Sequence, residues 1–156
     1  MEGKIVYQGK IKNGTQITIR YPLITDAKDM TEFMNTLSEE RTFMAYQGDK
    51  FYIKNETDFL LSQLEKIKNK KALLLFVYAD NKFAGISNAE MGILTEKHIG
   101  NLGGISIDKN LRGNGIGKLL MKHMLEESVE NLKDLEILIL GVFSNNSLAI
   151  ISPNLR

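Results

Sequence analysis

Three glycines stand at alternating positions, Gly113, Gly115 and Gly117, between a β-branched run ending at Ile107 and an apolar helical pattern opening near Ile116. Arg112 precedes them and supplies a positive charge, and Lys118 sits in the first helical turn. Glycine permits positive φ and lets a ligand approach the backbone closely. A helix N-terminus adds unpaired N–H groups and the positive end of the helix dipole. The combination describes a cradle for phosphate or pyrophosphate.

Spacing decides among ligands of that kind. A nucleoside triphosphate loop requires G-x-x-x-x-G-K-[ST], but the residue five before Gly117 is Arg112, and Leu119 follows Lys118. The dinucleotide fingerprint G-x-G-x-x-G fails as well: begun at Gly113 it meets Lys118 at the third glycine, and begun at Gly115 it meets Leu120. A regulatory nucleotide domain would need a carboxylate pair or a hydroxyl for magnesium beside the loop, and neither is there. The pattern left is R-x-x-G-x-G on Arg112, Gly115 and Gly117.

The elements that must position this loop follow from periodicity. "KIVYQGKIK" and "TQITIRY" predict a hairpin turned at Asn13-Gly14 in type I′ geometry. Thr25 or Asp26 then caps a helix carrying Met30, Phe33, Met34 and Leu37 on one face as far as about Ser38. From Glu39 to Asn55 the period is lost and aromatic residues collect, which fits either aromatic packing under a loop or one wall of a substrate pocket, where Glu39, Glu40 and Asp49 would attract a cationic group. A second helix opens near Asn55 or Thr57 and ends in "KIKNKK", a basic run suited to a solvated helix C-terminus.

Two strands, "ALLLFVYAD" and "KFAGISNAEMGI", join at Asp80-Asn81, and "KHIGNLGGISI" leads into the glycine loop. A helix from about Gly115 to Asn131 and a buried strand in "LEILILGVF" complete a βαβ unit, whose two strands must lie parallel. The fold class is therefore α/β (α+β), a mixed, mostly antiparallel sheet with helices on both faces. With 156 residues and 43% hydrophobic content, a single domain over 1–156 is expected.

Composition excludes several functions. A net charge of +1 from 20 basic and 19 acidic residues gives no broad footprint for nucleic acid. The absence of cysteine rules out disulfides, thiolate metal sites and a cysteine acyl-enzyme, and no metal site is expected. The N-terminus has no apolar targeting segment and "ALLLFVYA" is far short of a membrane span, so a cytoplasmic protein is expected.

"IDKNLRGNGIGKLLM" resembles the strand, loop and helix signature of the GNAT superfamily of acyl-CoA-dependent N-acetyltransferases. "LGVFSNNSLAI" is similar to its V-x-x-x-N-x-x-A segment at Val142, Asn146 and Ala149, and "ITIRYPLITDAKDMTEFM" to its first strand and helix. The resemblance implies acetyl-CoA as cofactor, entering between a splayed parallel pair of strands, with its pyrophosphate on the amides of Arg112, Gly113, Asn114, Gly115, Ile116, Gly117 and Lys118, its pantetheine arm on the backbone of Ile105, Ser106 and Ile107, and Asn146 on the far side of the cofactor. It implies direct attack by the primary amine of a small molecule or peptide within a ternary complex.

That chemistry needs a base. Family members often place a glutamate or histidine midway along the strand before the loop, where this chain has Gly100, Asn101 and Gly103. Glu90 and His98 are the candidates, with Glu96 nearby, while His123 reads as a packing residue. The family's continuation A-I-x-L-Y, whose tyrosine protonates the departing thiolate, is "AIISPNLR" here, with Ser152 and Pro153 at the leucine and tyrosine positions. The expectation is a chain lacking the family's last two strands, either truncated or forming a homodimer over the edge. The alternative function is a catalytically weak or inactive acyl-CoA-binding protein of the same fold.

Overall fold

The computed structural model describes residues 1–43 and 45–147. Six strands form one sheet in sequence order: β1 (Ile5–Lys10), β2 (Gln16–Arg20), β3 (Ala72–Ala79), β4 (Lys82–Met91), β5 (Ile99–Ile107) and β6 (Ile137–Leu140). Neighbours from β1 to β5 run antiparallel, and β5 and β6 are parallel, as the βαβ reading requires. β3 is buried at every position, which accounts for its unbroken apolar run.

Helices cover both faces. α1 (Ala27–Glu39) and α2 (Ile53–Lys68) lie on the face of Phe76, Tyr78 and Phe83, where the Phe33 ring stands 5.1 Å from Phe83 and Phe83 meets Phe76 edge-on at 4.8 Å. α3 (Ile116–Asn131) packs on the alternate side chains, burying Ile116, Leu120 and Met124 and laying Gly117 against Ile107. It is tied to the first hairpin by polar contacts. The Tyr21 hydroxyl donates to Glu127 Oε2 at 2.6 Å, and Lys4 Nζ and Asn131 Nδ2 donate to the same carboxylate.

Three local expectations change. The first hairpin turns through Ile11–Gly14 with only Gly14 at positive φ (+89°), so it is a type I turn closed by a glycine bulge. The type I′ geometry instead occurs at Asp80-Asn81, with φ of 45° and 65°. Asp26 precedes α1 but makes no cap bond to it; its carboxylate takes both Arg20 guanidinium nitrogens at 2.8 Å and the Leu23 amide at 2.7 Å. Finally, β6 alternates exposed and half-buried residues, because among the described residues it has a neighbour on one side only.

Candidate functional site

The site begins where the parallel pair opens. β6 pairs with β5 only from Ile99 to Leu102, and β5 runs on to Ile107 without it. On its other side β5 keeps pairing with β4, with one irregularity: Asn88 stands opposite both Gly103 and Gly104. A Cβ at Gly103 would fall on the Asn88 carboxamide, which would have to turn away.

Backbone polarity along this free edge follows from one bond. The Asp108 amide donates to the Ala84 carbonyl at 2.8 Å, so the pairs Ile86–Ser106 and Ala84–Asp108 face each other, and Gly85–Ile107 and Ser87–Ile105 turn outward. The N–H and C=O of Ile105 and the N–H of Ile107 therefore point to the side β6 has vacated. The Ile107 carbonyl already accepts Arg112 Nε at 2.8 Å, and the backbone of Ser106 is turned toward β4.

The glycine loop leaves β5 through a short turn whose Asp108 side chain accepts the Asn110 amide. Gly113 and Gly115 sit at φ of +80° and +82°, and Gly115 is the N-cap of α3. A Cβ at either would meet nothing within 4 Å, so backbone conformation, not crowding, requires glycine, and the approach to the amides is open. Gly113, Asn114 and Gly115 line a cleft of about 320 Å³ together with Lys12 from the first hairpin. Open amides, a helix N-terminus and a cation fit an anionic phosphate group. The lysine carries no signal in the sequence, lying about a hundred positions from the loop.

The Arg112 side chain is placed differently from the sequence reading. Its guanidinium grips Glu40, which follows α1, with Nη1 at 2.7 Å and Nη2 at 3.0 Å from the two carboxylate oxygens. Arg112 thus pins the loop to the end of α1, and Glu40 is engaged with it instead of standing free to attract an amine. Lys118 is exposed in the first turn of α3 and is not among the cleft-lining residues.

Of the candidate bases, Glu90 lies directly across from Asn101, one of the three residues that stand where the resemblance looks for a glutamate or histidine. It accepts Lys66 Nζ at 2.6 Å and Gln63 Nε2 at 3.4 Å, so the lysine run ending α2 is partly engaged with the sheet. His98 precedes β5 at the end away from the loop, about 16.5 Å along the strand from Gly103 at roughly 3.3 Å per residue. His123 packs its ring 5.2 Å from Tyr7 and pairs with Glu126. Asn146 follows a turn beyond β6, its amide donating to the Phe143 carbonyl. Ala149, Ser152 and Pro153 lie outside the described residues.

Among the described residues no three acidic, histidine or cysteine side chains gather to hold a metal, and no helix is long and apolar enough to cross a membrane.

The acetyltransferase (GNAT) family model matches residues 31–150. No sequence match was found among curated proteins. Among solved structures, a GNAT-family acetyltransferase from Streptococcus pneumoniae is 28% identical with a TM-score of 0.78, over 87% of this chain and 80% of its own. The ribosomal-protein-alanine N-acetyltransferase of Brucella melitensis superposes with a TM-score of 0.74 at 19% identity, over 86% of this chain and 79% of its own. The microcin C7 self-immunity acetyltransferase, solved with acetyl-CoA and AMP, gives 0.68 at 19% identity, over 87% and 74%.

Proposed function

Because the chain belongs to the GNAT family of acetyltransferases, we propose that it transfers acetyl from acetyl-CoA to a primary amine of a small molecule or peptide by direct attack. The observation that carries the reading is the parting of β5 from β6 after Leu102, on the strand that ends in the glycine loop. A free backbone edge and a phosphate cradle lie on one continuous path.

When bound, acetyl-CoA supplies an acetyl group already activated as a thioester. The residues of the chain divide the remaining work. The amides from Gly113 to Lys118 hold the pyrophosphate, and the N–H and C=O of Ile105 with the N–H of Ile107 bind the pantetheine arm and polarise the acetyl carbonyl. Asn146 stands on the opposite side of the arm. Glu90 takes the proton that the acceptor ammonium must lose, its cross-strand position beside Asn101 placing it one residue from the point where the strands part. The balance is a C–N bond formed, a C–S bond broken, one proton to the carboxylate and one to the departing sulfur.

The test is calorimetric titration of the chain with acetyl-CoA, beside Gly115→Asp, which sets a negative charge in the cradle. Binding lost in the variant supports the reading. An unmodified, folded chain that takes up no acetyl-CoA would overturn it.

A further inference from the structure

The cleft at the glycine loop has two walls, and the sequence motif accounts for one. We propose that Lys12 binds a phosphate of the nucleotide half of coenzyme A, taking the part of loop cation that Arg112 does not fill; this rests on the cofactor reading above.

Charge is the first argument. The arginine of the loop has its guanidinium neutralised by Glu40 through two contacts and its Nε bound to the Ile107 carbonyl. The cleft therefore lacks the cation its motif promises, and an anion of more than one charge would be held by backbone dipoles alone. Lys12 is the one charged residue among the four that line the cleft, and among the described residues its side chain makes no hydrogen bond or ion pair.

Presentation is the second argument. Lys12 sits in a turn fixed by three bonds: the Ile11 amide donates to the Thr15 carbonyl at 3.1 Å, the Gly14 amide to the Ile11 carbonyl at 2.9 Å, and the Thr15 amide to Asn13 Oδ1 at 3.0 Å. The adjoining strand is held in turn, since the Gln16 amide donates to Asp80 Oδ1 at 3.0 Å. The lysine is thus carried to the cleft by an ordered turn, and the strand position Lys10 two residues earlier gives a control of equal charge that does not line it.

The experiment titrates coenzyme A and 3′-dephospho-coenzyme A into the unmodified chain, Lys12→Ala, Lys12→Arg and Lys10→Ala. Lys12→Ala is expected to weaken coenzyme A binding about tenfold, the order of one charge-assisted contact at a solvent-facing site. Lys12→Arg and Lys10→Ala should stay within about twofold, a spread too small for a lost charge contact. If the loss persists with the dephospho compound, the lysine meets the pyrophosphate; if it vanishes there, the lysine meets the 3′-phosphate. Equal affinity of Lys12→Ala and the unmodified chain for both ligands overturns the proposal and leaves the cofactor reading intact, and an equal loss in Lys10→Ala reduces it to net charge. No binding by the unmodified chain overturns both readings.

Discussion

Arg112 of the glycine loop and Glu40 at the end of α1 are joined fork to fork, at 2.7 and 3.0 Å, across 72 positions of sequence. The pair connects the glycine loop to the start of the aperiodic segment that follows α1. The arginine side chain is 42% exposed and the glutamate 12%, so the contact is partly screened.

Glu40→Gln and Arg112→Gln are each expected to lower stability by about 1 kcal/mol, the upper end for a solvent-facing pair with two-point geometry. In a double-mutant cycle the second substitution should add little to the first. Urea denaturation of the four proteins checks this, and fully additive losses would show that the two side chains act separately.

Gly115 has φ of +82° with open space where a Cβ would stand, so replacement strains only the backbone. Gly115→Asn should cost less stability than Gly115→Val, because asparagine tolerates the left-handed region and a β-branched side chain does not. Melting temperatures of the two variants decide it, with equal values counting against the conformational explanation.

Burial alone would raise the Asp26 carboxyl, but hydrogen bonds from Arg20 and the Leu23 amide outweigh it and hold the group below the usual carboxylate range. A depressed carboxyl contributes stability above its unfolded value of about 4, and the contribution is lost as pH falls through the folded value. Asp26→Asn should therefore cost about 3 kcal/mol at pH 7, as expected when one partner of a largely buried pair is removed. The gap between the two proteins should narrow below about pH 4. Chemical denaturation at both pH values measures it; a gap unchanged in acid would show the carboxylate charge to be unimportant.

Tyr21 behaves with the opposite sign. Burial, and next the hydrogen bond to the Glu127 carboxylate, push its hydroxyl well above the ordinary tyrosine value. Stability is complete below the unfolded value of about 10 and declines as pH rises beyond it. Tyr21→Phe is expected to cost about 1–2 kcal/mol at neutral pH and to flatten the alkaline decline. Denaturation midpoints between pH 8 and 11 would refute this if the variant lost stability as steeply as the parent.

Glu90→Gln should lower kcat about a hundredfold on any amine the chain acetylates, the usual scale for a lost proton acceptor, while coenzyme A affinity holds. Steady-state kinetics beside a coenzyme A titration separates the two effects. A variant with kcat unchanged would place the base elsewhere.

Much of the frame was legible because it depends on local pattern. The unbroken apolar run at Ala72–Ala79 marked the central strand, and the strand, glycine loop and helix order required the parallel pair. The glycines at 113 and 115 announced positive φ by their type and spacing. What could not be read depends on distant partners. Nothing near Arg112 signals that Glu40 will take its charge, nothing near Lys12 signals the cleft, and the solvated character expected of the run "KIKNKK" missed the reach of Lys66, its first residue, to Glu90. The burial of β6 was misjudged for a related reason. Alternation within four residues of isoleucine and leucine leaves no polar mark of which face is open.

The two-for-one irregularity at Gly103 and Gly104 has a bearing on self-association. An unpaired strand edge inside a sheet is a template on which another polypeptide can polymerise. Here residues 103–107 offer only a short edge, and the bulge opposite Asn88 interrupts its spacing at one end, while the Ile107 carbonyl is already occupied by Arg112. An incoming strand needs a regular ladder of several bonds, whereas a flexible thread with two amides needs only a few. On the function proposed above, an edge of this length and spacing suits a narrow ligand better than the regular ladder of a second chain.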